Sequence, residues 1–237
     1  MKLQRYKRDS AVSYALGATL VAELFKTHPQ AITRVFLRPI DEHGSDLQSI
    51  IANLRSANVE IIESTKAFNI LGAKDNCLLI AEFKKDALVS STNSTRDIIL
   101  VNPSDAGNLG TIMRSAAAFN YDKITIVTPA IDPYDPKVIR ASMGAIFHLN
   151  IAIVNSVDEL DALNNALAFV LDENAKPLNS FTPSNQTLIF GNEAAGLPKD
   201  FCTTTGATPV FIEQSKNVDS LNLGVAASIA MHYFSRH

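Results

Sequence analysis

The chain has 237 residues, of which 46% are hydrophobic and 19% charged, and its formal net charge is −3. The hydrophobic fraction excludes an intrinsically disordered chain, two cysteines exclude a disulfide scaffold, and the charge excludes a strongly basic nucleic-acid coat. No apolar run approaches the roughly 18 residues that span a membrane, and the N-terminus lacks the apolar stretch of a secretory signal. These features predict a soluble cytoplasmic protein whose Cys77 and Cys202 are free thiols.

The first part of the chain alternates short apolar runs with amphipathic stretches, which predicts a small α/β domain over residues 1–92. The pattern predicts helices at 19–27 and 47–56 and strands at 34–37 and 78–83. Residues 1–95 carry 12 basic and 10 acidic side chains, a net charge of +2, and four of the cations lie in the first eight residues as a basic arm. The polar stretch 89–96 predicts a linker to a second globular part.

The second part alternates more strongly and predicts a domain over residues 96–237. Six apolar runs are short enough to be buried parallel strands, at 98–101, 124–127, 151–154, 169–171, 188–190 and 209–212. Helical patterns lie between several of them and at the end of the chain, at 109–120, 136–145, 157–166 and 222–234. Because ligands bind at the carboxyl ends of parallel strands, the loops after the strands are the candidate sites.

Three of these loops hold polar residues that a buried core would not contain. The loop 102–114 combines glycines and Asn108 with a helix start, and it carries Arg114 on an otherwise apolar helix. A structural ion pair and a functional partner are equally open for that guanidinium. The loop 217–222 precedes the last helix, and Ser220 or Asn222 could simply cap that helix.

The loop 190–198 has Gly191 and Gly196 at the spacing of a P-loop. Leu197 and Pro198 stand where a P-loop needs Lys and Ser or Thr, which argues against hydrolysis of a nucleoside triphosphate. By itself, this loop could be no more than a tight turn. The five histidines show no HxxxH or HExxH spacing, so the sequence predicts no metal site.

Taken together and in order, the three loops resemble the three motifs of the SpoU/TrmH family in the SPOUT superfamily, S-adenosylmethionine-dependent RNA ribose 2′-O-methyltransferases. The resemblance covers about residues 96–236, and the chain departs from the usual pattern at Ala106 and Gly224. The matching residues are Asp105, Asn108, Gly110 and Arg114 in the first motif, with the downstream element 140–145, then Gly191, Asn192, Glu193, Gly196 and Leu197, and finally Ser220, Leu221 and Asn222.

The resemblance implies that residues 96–237 form an α/β domain with a mainly parallel sheet and a deep trefoil knot. More loosely, residues 1–92 resemble the L30e-like RNA substrate-binding domain that many family members carry, with residues 13–17 as the best local match. The resemblance also implies a homodimer that binds S-adenosylmethionine and acts on tRNA or rRNA, without a metal.

The resemblance assigns roles to individual residues. Arg114 would be the catalytic arginine, and because a guanidinium stays protonated, a fixed cation that stabilises the developing alkoxide is physically easier than a base. Asn108 would hold the ribose or Arg114, Glu193 would orient either of them, and Ser220 and Asn222 would line the acceptor side. The resemblance further implies that backbone groups around Gly191, Asn192, Ile212 and Leu221 hold the cofactor.

Two other functions remain open at this point. The chain could be a knotted RNA-binding dimer that has lost its catalytic activity, although the presence of all the motif residues counts against this. A methyltransferase that acts on a base nitrogen or on protein is the third possibility, and the first-motif arginine favours the ribose branch over it.

Overall fold

The structure is a computed structural model that describes residues 3–40, 44–88, 96–160, 163, 165–172, 174–184 and 186–235. By internal packing the chain divides into two compact units. The first unit comprises residues 1–90 and 132–147, and the second comprises residues 91–131 and 148–237. The segment 132–147 therefore packs with the first 90 residues, whereas the sequence pattern had assigned it to the second domain. Most of the predicted linker, residues 89–95, lies outside the described residues.

The first unit contains a four-stranded sheet in the order β1-β4-β2-β3. β4 is antiparallel to both β1 and β2, and β2 is parallel to β3. Buried side chains such as Val35, Leu79 and Ile80 form its core. The elements are β1 (Val12–Leu16), α1 (Ala18–Thr27), β2 (Ile32–Leu37), α2 (Ser45–Ser56), β3 (Ile61–Glu63), α3 (Thr65–Leu71), β4 (Leu79–Lys84) and, from the later segment, α5 (Pro136–Ala141).

The second unit contains seven strands in the order β7-β6-β5-β10-β8-β11-β9, and every pair in this sheet is parallel. The prediction of an α/β fold with a mainly parallel sheet is thus confirmed, while the knot and the L30e-like character of the first domain stay predictions. The elements are β5 (Asp97–Val101), α4 (Ala106–Ala118), β6 (Lys123–Val127), β7 (Asn150–Val154), β8 (Ala166–Phe169), β9 (Lys176–Pro177), β10 (Thr187–Phe190), α6 (Phe201–Thr205), β11 (Thr208–Phe211) and α7 (Leu223–Phe234).

Two predicted elements of the second half are wrong. The helix expected at 157–166 is a single 3-10 turn at Val157–Glu159, and the strand expected at 169–171 is β8, which begins at Ala166. Alanine-rich apolar runs fit a helix and a buried strand equally well, so periodicity could not separate them here. The predicted helix also falls partly outside the described residues, at 161, 162 and 164.

The helix predicted at 136–145 begins where expected but ends at Ala141. Asp135 caps its first turn and Pro136 occupies the first helical position, where a missing N–H costs nothing. Met143 and Gly144 then adopt positive φ values of 50° and 88°, which end the helix. This turn packs against α1, because a Cβ at Gly144 would lie 3.3 Å from the Cβ of Glu23.

Candidate functional site

The candidate site lies at the carboxyl edge of the parallel sheet. β5 and β10 are hydrogen-bonded neighbours, so the loops that follow them emerge side by side. β8 pairs with β10 on its other side, and β11 pairs with β8. β5, β8 and β10 are mostly buried and β11 buries Val210, which fixes the positions of the loops at their ends. The three candidate loops follow β5, β10 and β11.

A pocket of about 300 Å³ opens at this edge, within the size range of small-molecule sites. Six of the predicted site residues line it, and they are Gly191, Asn192, Glu193, Ile212, Ser220 and Leu221. Sequence reasoning missed the rest of the wall, which includes Phe169, Val170 and Leu171 at and after the end of β8 and Gln214, Leu223 and Ala226 after β11. The misplacement of β8 explains the first of these omissions.

The loop after β10 forms one wall of the pocket in a tight conformation. Asn192 and Gly196 exchange two backbone hydrogen bonds of 3.1 and 2.9 Å. A Cβ at Gly191 would lie 2.2 Å from the carbonyl carbon of Gly196, so no side chain fits at this position. The glycine therefore allows the backbone to fold closely upon itself beside the pocket.

Glu193 connects this loop to the loop after β5. Its carboxylate accepts hydrogen bonds from the backbone N–H of Ser104 at 3.1 Å, the hydroxyl of Ser104 at 2.7 Å and the backbone N–H of Asp105 at 3.1 Å. The amides of Asn108 and Asn192 also donate to it, each at 3.3 Å. Nothing in the sequence pattern indicated the role of Ser104, which lies 89 residues before Glu193.

These hydrogen bonds keep Glu193 ionised. Burial acts to raise the pKa of its carboxyl group, but the donors from Ser104, from the backbone of Glu193 itself, from Asn108 and from Asp105 outweigh burial and lower the pKa below its ordinary value. A carboxylate that is ionised and surrounded by donors is a poor proton acceptor. Its geometry suits a group that holds two loops together.

Asn108 and Asn222 connect the first loop to the third. The side-chain amide of Asn222 donates to the side-chain oxygen of Asn108 at 2.9 Å. Asn222 also caps α7 by accepting from the N–H of Val225, and Asp105 caps α4 by accepting from the N–H of Asn108. The capping function predicted as the simple alternative for Asn222 is therefore real, and it coexists with the contact to Asn108.

The pairing of α4 with α7 sets this contact. The two helices run in parallel, since residues of α4 meet residues of α7 that increase in number in the same direction. Ser115 and Ser228 share a hydrogen bond of 2.6 Å, and further along the rings of Phe119 and His232 lie 5.3 Å apart.

Arg114 lies on α4, six residues beyond Asn108, which corresponds to about 9 Å along the helix axis. Its side chain is exposed and does not line the pocket. Among the residues that the structure describes, none forms an ion pair or hydrogen bond with it, so the structural ion pair considered for Arg114 is absent from them. The predicted role of Arg114 stays a prediction.

The described part of the chain lacks two further features. No group of three or more His, Cys, Asp or Glu side chains there is arranged to hold a metal ion. None of the helices described is both long and apolar enough to cross a bilayer. The predicted cytoplasmic location stays a prediction.

Comparisons with known proteins relate both units to methyltransferases. Over 145 residues, the chain is 28% identical to the 23S rRNA (guanosine(2553)-2'-O)-methyltransferase RlmP of Bacillus subtilis. This match covers 59% of the chain and 58% of RlmP. Over 241 residues, the chain is 27% identical to the uncharacterized tRNA/rRNA methyltransferase YfiF of Escherichia coli O157:H7. This match covers 97% of the chain and 69% of YfiF. The chain spans 58% or less of the length of RlmP and several other curated relatives.

The fold matches that of the SpoU methyltransferase AviRb from Streptomyces viridochromogenes, crystallised in complex with AdoMet. The TM-score is 0.77 at 23% identity, and the match covers 95% of this chain and 90% of AviRb. Finally, the family model described as the SpoU rRNA Methylase family matches residues 96–232, the segment that carries all three loops of the candidate site. The chain belongs to the SpoU rRNA methylase family.

Proposed function

We propose that the protein transfers a methyl group from S-adenosylmethionine to the 2′-hydroxyl of a ribose in tRNA or rRNA. The observation that carries the proposal is the hydrogen-bonded chain from Asn222 through Asn108 to Glu193, at 2.9 and 3.3 Å. It joins residues from three separate loops at the edge of the pocket. Such an arrangement suits the positioning of two reactants, because it fixes polar groups from independent parts of the chain.

The lining of the pocket supports S-adenosylmethionine as its ligand. The close approach of Gly191 to Gly196 leaves backbone at the wall where a side chain would otherwise project. Ile212 and Leu221 add apolar surface from the loop after β11, next to main-chain groups that could meet an adenine edge. AviRb, which shares the fold, was crystallised with AdoMet. We propose that Gly191, Asn192, Ile212 and Leu221 hold the cofactor.

When bound, S-adenosylmethionine supplies a methyl group on a positively charged sulfonium, and this chemistry needs no metal. What the chain must supply is alignment, which can lower a barrier by about 7–11 kcal/mol when both reactants are held in line. Asn108 and Asn222 offer amide groups to hold the ribose, and Ser220 lines the pocket beside them. Glu193 acts as a positioning residue, because its ionised carboxylate fixes Asn108 and the loop that precedes α4.

Arg114 is the group that we propose to act on the hydroxyl, as a fixed cation that favours the alkoxide while the hydroxyl proton passes to solvent. Since Arg114 does not line the pocket of its own chain, we propose that a second copy of the chain completes the site. The exposed face of α4 and α7 suits such a homodimer, because Val225 and Ile229 on α7 are 46% and 39% exposed. Arg114 lies exposed on the neighbouring helix α4.

Three measurements on purified protein test this function. S-adenosylmethionine should raise the melting temperature, as a ligand of the folded state does. The protein should then transfer a labelled methyl group to bulk rRNA or tRNA taken from cells that lack its gene. Digestion of the product to nucleosides should yield 2′-O-methylnucleosides, whereas methylated bases would assign the reaction to another class.

A variant separates catalysis from cofactor binding. Arg114→Ala should abolish methyl transfer and leave the thermal shift by S-adenosylmethionine nearly intact, because Arg114 lies outside the pocket lining. Wild-type turnover in this variant would remove Arg114 from the mechanism. An RNA-binding dimer without activity would show neither the thermal shift nor the transfer in the wild-type protein.

A further inference from the structure

The first unit carries two arginines at one edge of its sheet. Arg38 directly follows β2, and Arg140 lies in the last turn of α5. The ends of β1 and β2 are level with each other, because Leu16 pairs with Ile80 and Leu37 pairs with Leu79 in the intervening strand β4. Arg38 therefore emerges at the edge where β1 also ends.

α5 brings Arg140 to the same edge. Near the start of β1, the hydroxyl of Ser13 donates to the carbonyl of Tyr134 just before α5, at 2.6 Å. Beyond the end of α5, Gly144 packs against Leu20 and Glu23 of α1, the helix that follows β1. α5 thus runs along β1 from its beginning to its end, and Arg140 lies toward that end.

Arg38 is held in a fixed position by its surroundings. Its Nε donates to the carbonyl of Cys77 at 2.9 Å, its Nη2 donates to the carbonyl of Lys74 at 3.3 Å, and its guanidinium lies 4.4 Å from the centre of the Phe68 ring. The remaining N–H groups of the guanidinium have no partner among the described residues. A planar guanidinium that is already ordered loses little entropy on binding a phosphate.

Both guanidinium groups also act electrostatically on one thiol, that of Cys77. Burial raises the pKa of the Cys77 thiol, while a hydrogen bond to Leu79 and the positive charges of Arg38 and Arg140 oppose that rise. Both cations are therefore within electrostatic range of one sulfur atom. Neither Arg38 nor Arg140 forms an ion pair with a residue that the structure describes. Two cations at one edge of the sheet, without an acidic partner among those residues, favour an anion.

We propose that Arg38 and Arg140 bind backbone phosphates of the RNA substrate, at a site within the first unit. The anion is assigned as RNA on the basis of the proposed function, while the cation pair itself is independent of it. An RNA strand suits the partly exposed Arg38 and the exposed Arg140 better than a single small anion, because its neighbouring phosphates can engage both. Contacts of this kind position the RNA without reading its sequence.

The test is the salt dependence of RNA binding, measured by fluorescence anisotropy with fluorescein-labelled bulk tRNA. Each phosphate contact contributes about 0.7–0.9 to the slope of log K against log salt concentration. Arg38→Gln and Arg140→Gln should each reduce the slope by about that amount, and the double variant by about twice as much. Arg140→Lys, which keeps the charge, should retain most of the slope.

Arg55→Gln is the matched control, since Arg55 is an exposed arginine of the same unit on α2 and its loss should leave the slope unchanged. Arg38→Gln removes hydrogen bonds within the fold, so circular dichroism accompanies each variant. Should the Arg38 variants fail to fold, Arg140→Gln alone decides, because its side chain is exposed and forms no hydrogen bond with described residues. A slope for Arg140→Gln equal to those of the wild type and Arg55→Gln would overturn the site.

The outcome separates this site from the proposed function. Methyl transfer by the wild type together with unchanged slopes in the variants refutes the phosphate site and leaves the activity standing. Reduced slopes in a protein that transfers no methyl group refute the activity and leave the phosphate site standing. The thermal shift by S-adenosylmethionine should be the same in all these variants, because Arg38 and Arg140 do not line the pocket.

Discussion

Replacing Glu193 with Gln tests whether an ionised carboxylate holds the loops of the site together. The change keeps the size of the side chain but turns one acceptor oxygen into an NH2 donor. Oε1 accepts from Asp105 and Asn108, and Oε2 accepts from Ser104 and Asn192. Whichever way the amide turns, its NH2 group meets other donors, and at least two hydrogen bonds are lost.

The magnitude follows from the number and exposure of these bonds. A hydrogen bond to a charged group contributes about 1.5–3 kcal/mol. Glu193 is partly exposed, so solvent screening reduces this contribution, and we expect a loss of about 1–2 kcal/mol in the free energy of unfolding. For a chain of this size that corresponds to a melting temperature lower by about 2–8 °C. Methyl transfer should fall through kcat, because Asn108 loses its anchor.

The pH dependence of stability gives an independent check that the ionised form of Glu193 is the stabilising one. Since the hydrogen bonds lower the pKa of Glu193 in the folded state, its stabilisation is complete above the pKa of the unfolded chain and is lost as the pH falls through the folded pKa. The gap between wild type and Glu193→Gln should therefore be constant from neutral pH down to about 5 and shrink below about 4. Differential scanning calorimetry across this range measures it.

Glu63→Gln provides the control, because Glu63 is an exposed glutamate on β3 and carries the same charge. It should change the melting temperature little at any pH. The reasoning fails if Glu193→Gln behaves like Glu63→Gln at neutral pH, or if the gap widens with acid, since either result means that the carboxylate holds nothing in its ionised form.

Two further predictions concern the pocket and the dimer. Gly191→Ala should abolish the thermal shift by S-adenosylmethionine. The added methyl group would lie 2.2 Å from the backbone of Gly196, so the loop must move. An undiminished thermal shift would show that this loop does not hold the cofactor. Gly44→Ala, at a position with open space around it, is the control. Val225→Asp should convert a dimer into monomers in analytical ultracentrifugation, since it buries a charge in the proposed interface, and an unchanged dimer would relocate the interface.

The sequence was sufficient to locate the candidate site because its three loops follow buried strands. Short apolar runs at 98–101 and 188–190 predicted β5 and β10, and polar residues directly after them had to emerge at the carboxyl edge. That these loops lie side by side depends on β10 pairing with β5 rather than with β11, its successor in the chain. Local pattern contains no information about such pairing, so the contact of Ser104 with Glu193 could only come from the structure.

The segment after β6 shows a second limit of sequence pattern. Pro136 and its neighbours predicted a helix correctly, but nothing in their periodicity indicated that α5 would pack on β1 of the first unit. The element against which a helix packs depends on the whole fold and not on the helix's own sequence pattern. The helix end at Ala141 is likewise followed by a turn in which Met143 adopts a positive φ, which a residue other than glycine rarely does.

Gly224, where the chain departs from the motif pattern that it resembles, has a physical account in the packing of α4 against α7. A Cβ at Gly224 would lie 3.1 Å from Cγ2 of Thr111 and 3.2 Å from Oδ1 of Asn222, closer than side chains normally pack. Thr111 fills the space that a larger residue at 224 would need, so the two positions depend on each other. Asn222, whose amide donates to Asn108, lies two residues before Gly224, so the hydrogen bond and the close approach belong to the same stretch of chain. The glycine therefore allows α4 and α7 to pack closely beside the candidate site.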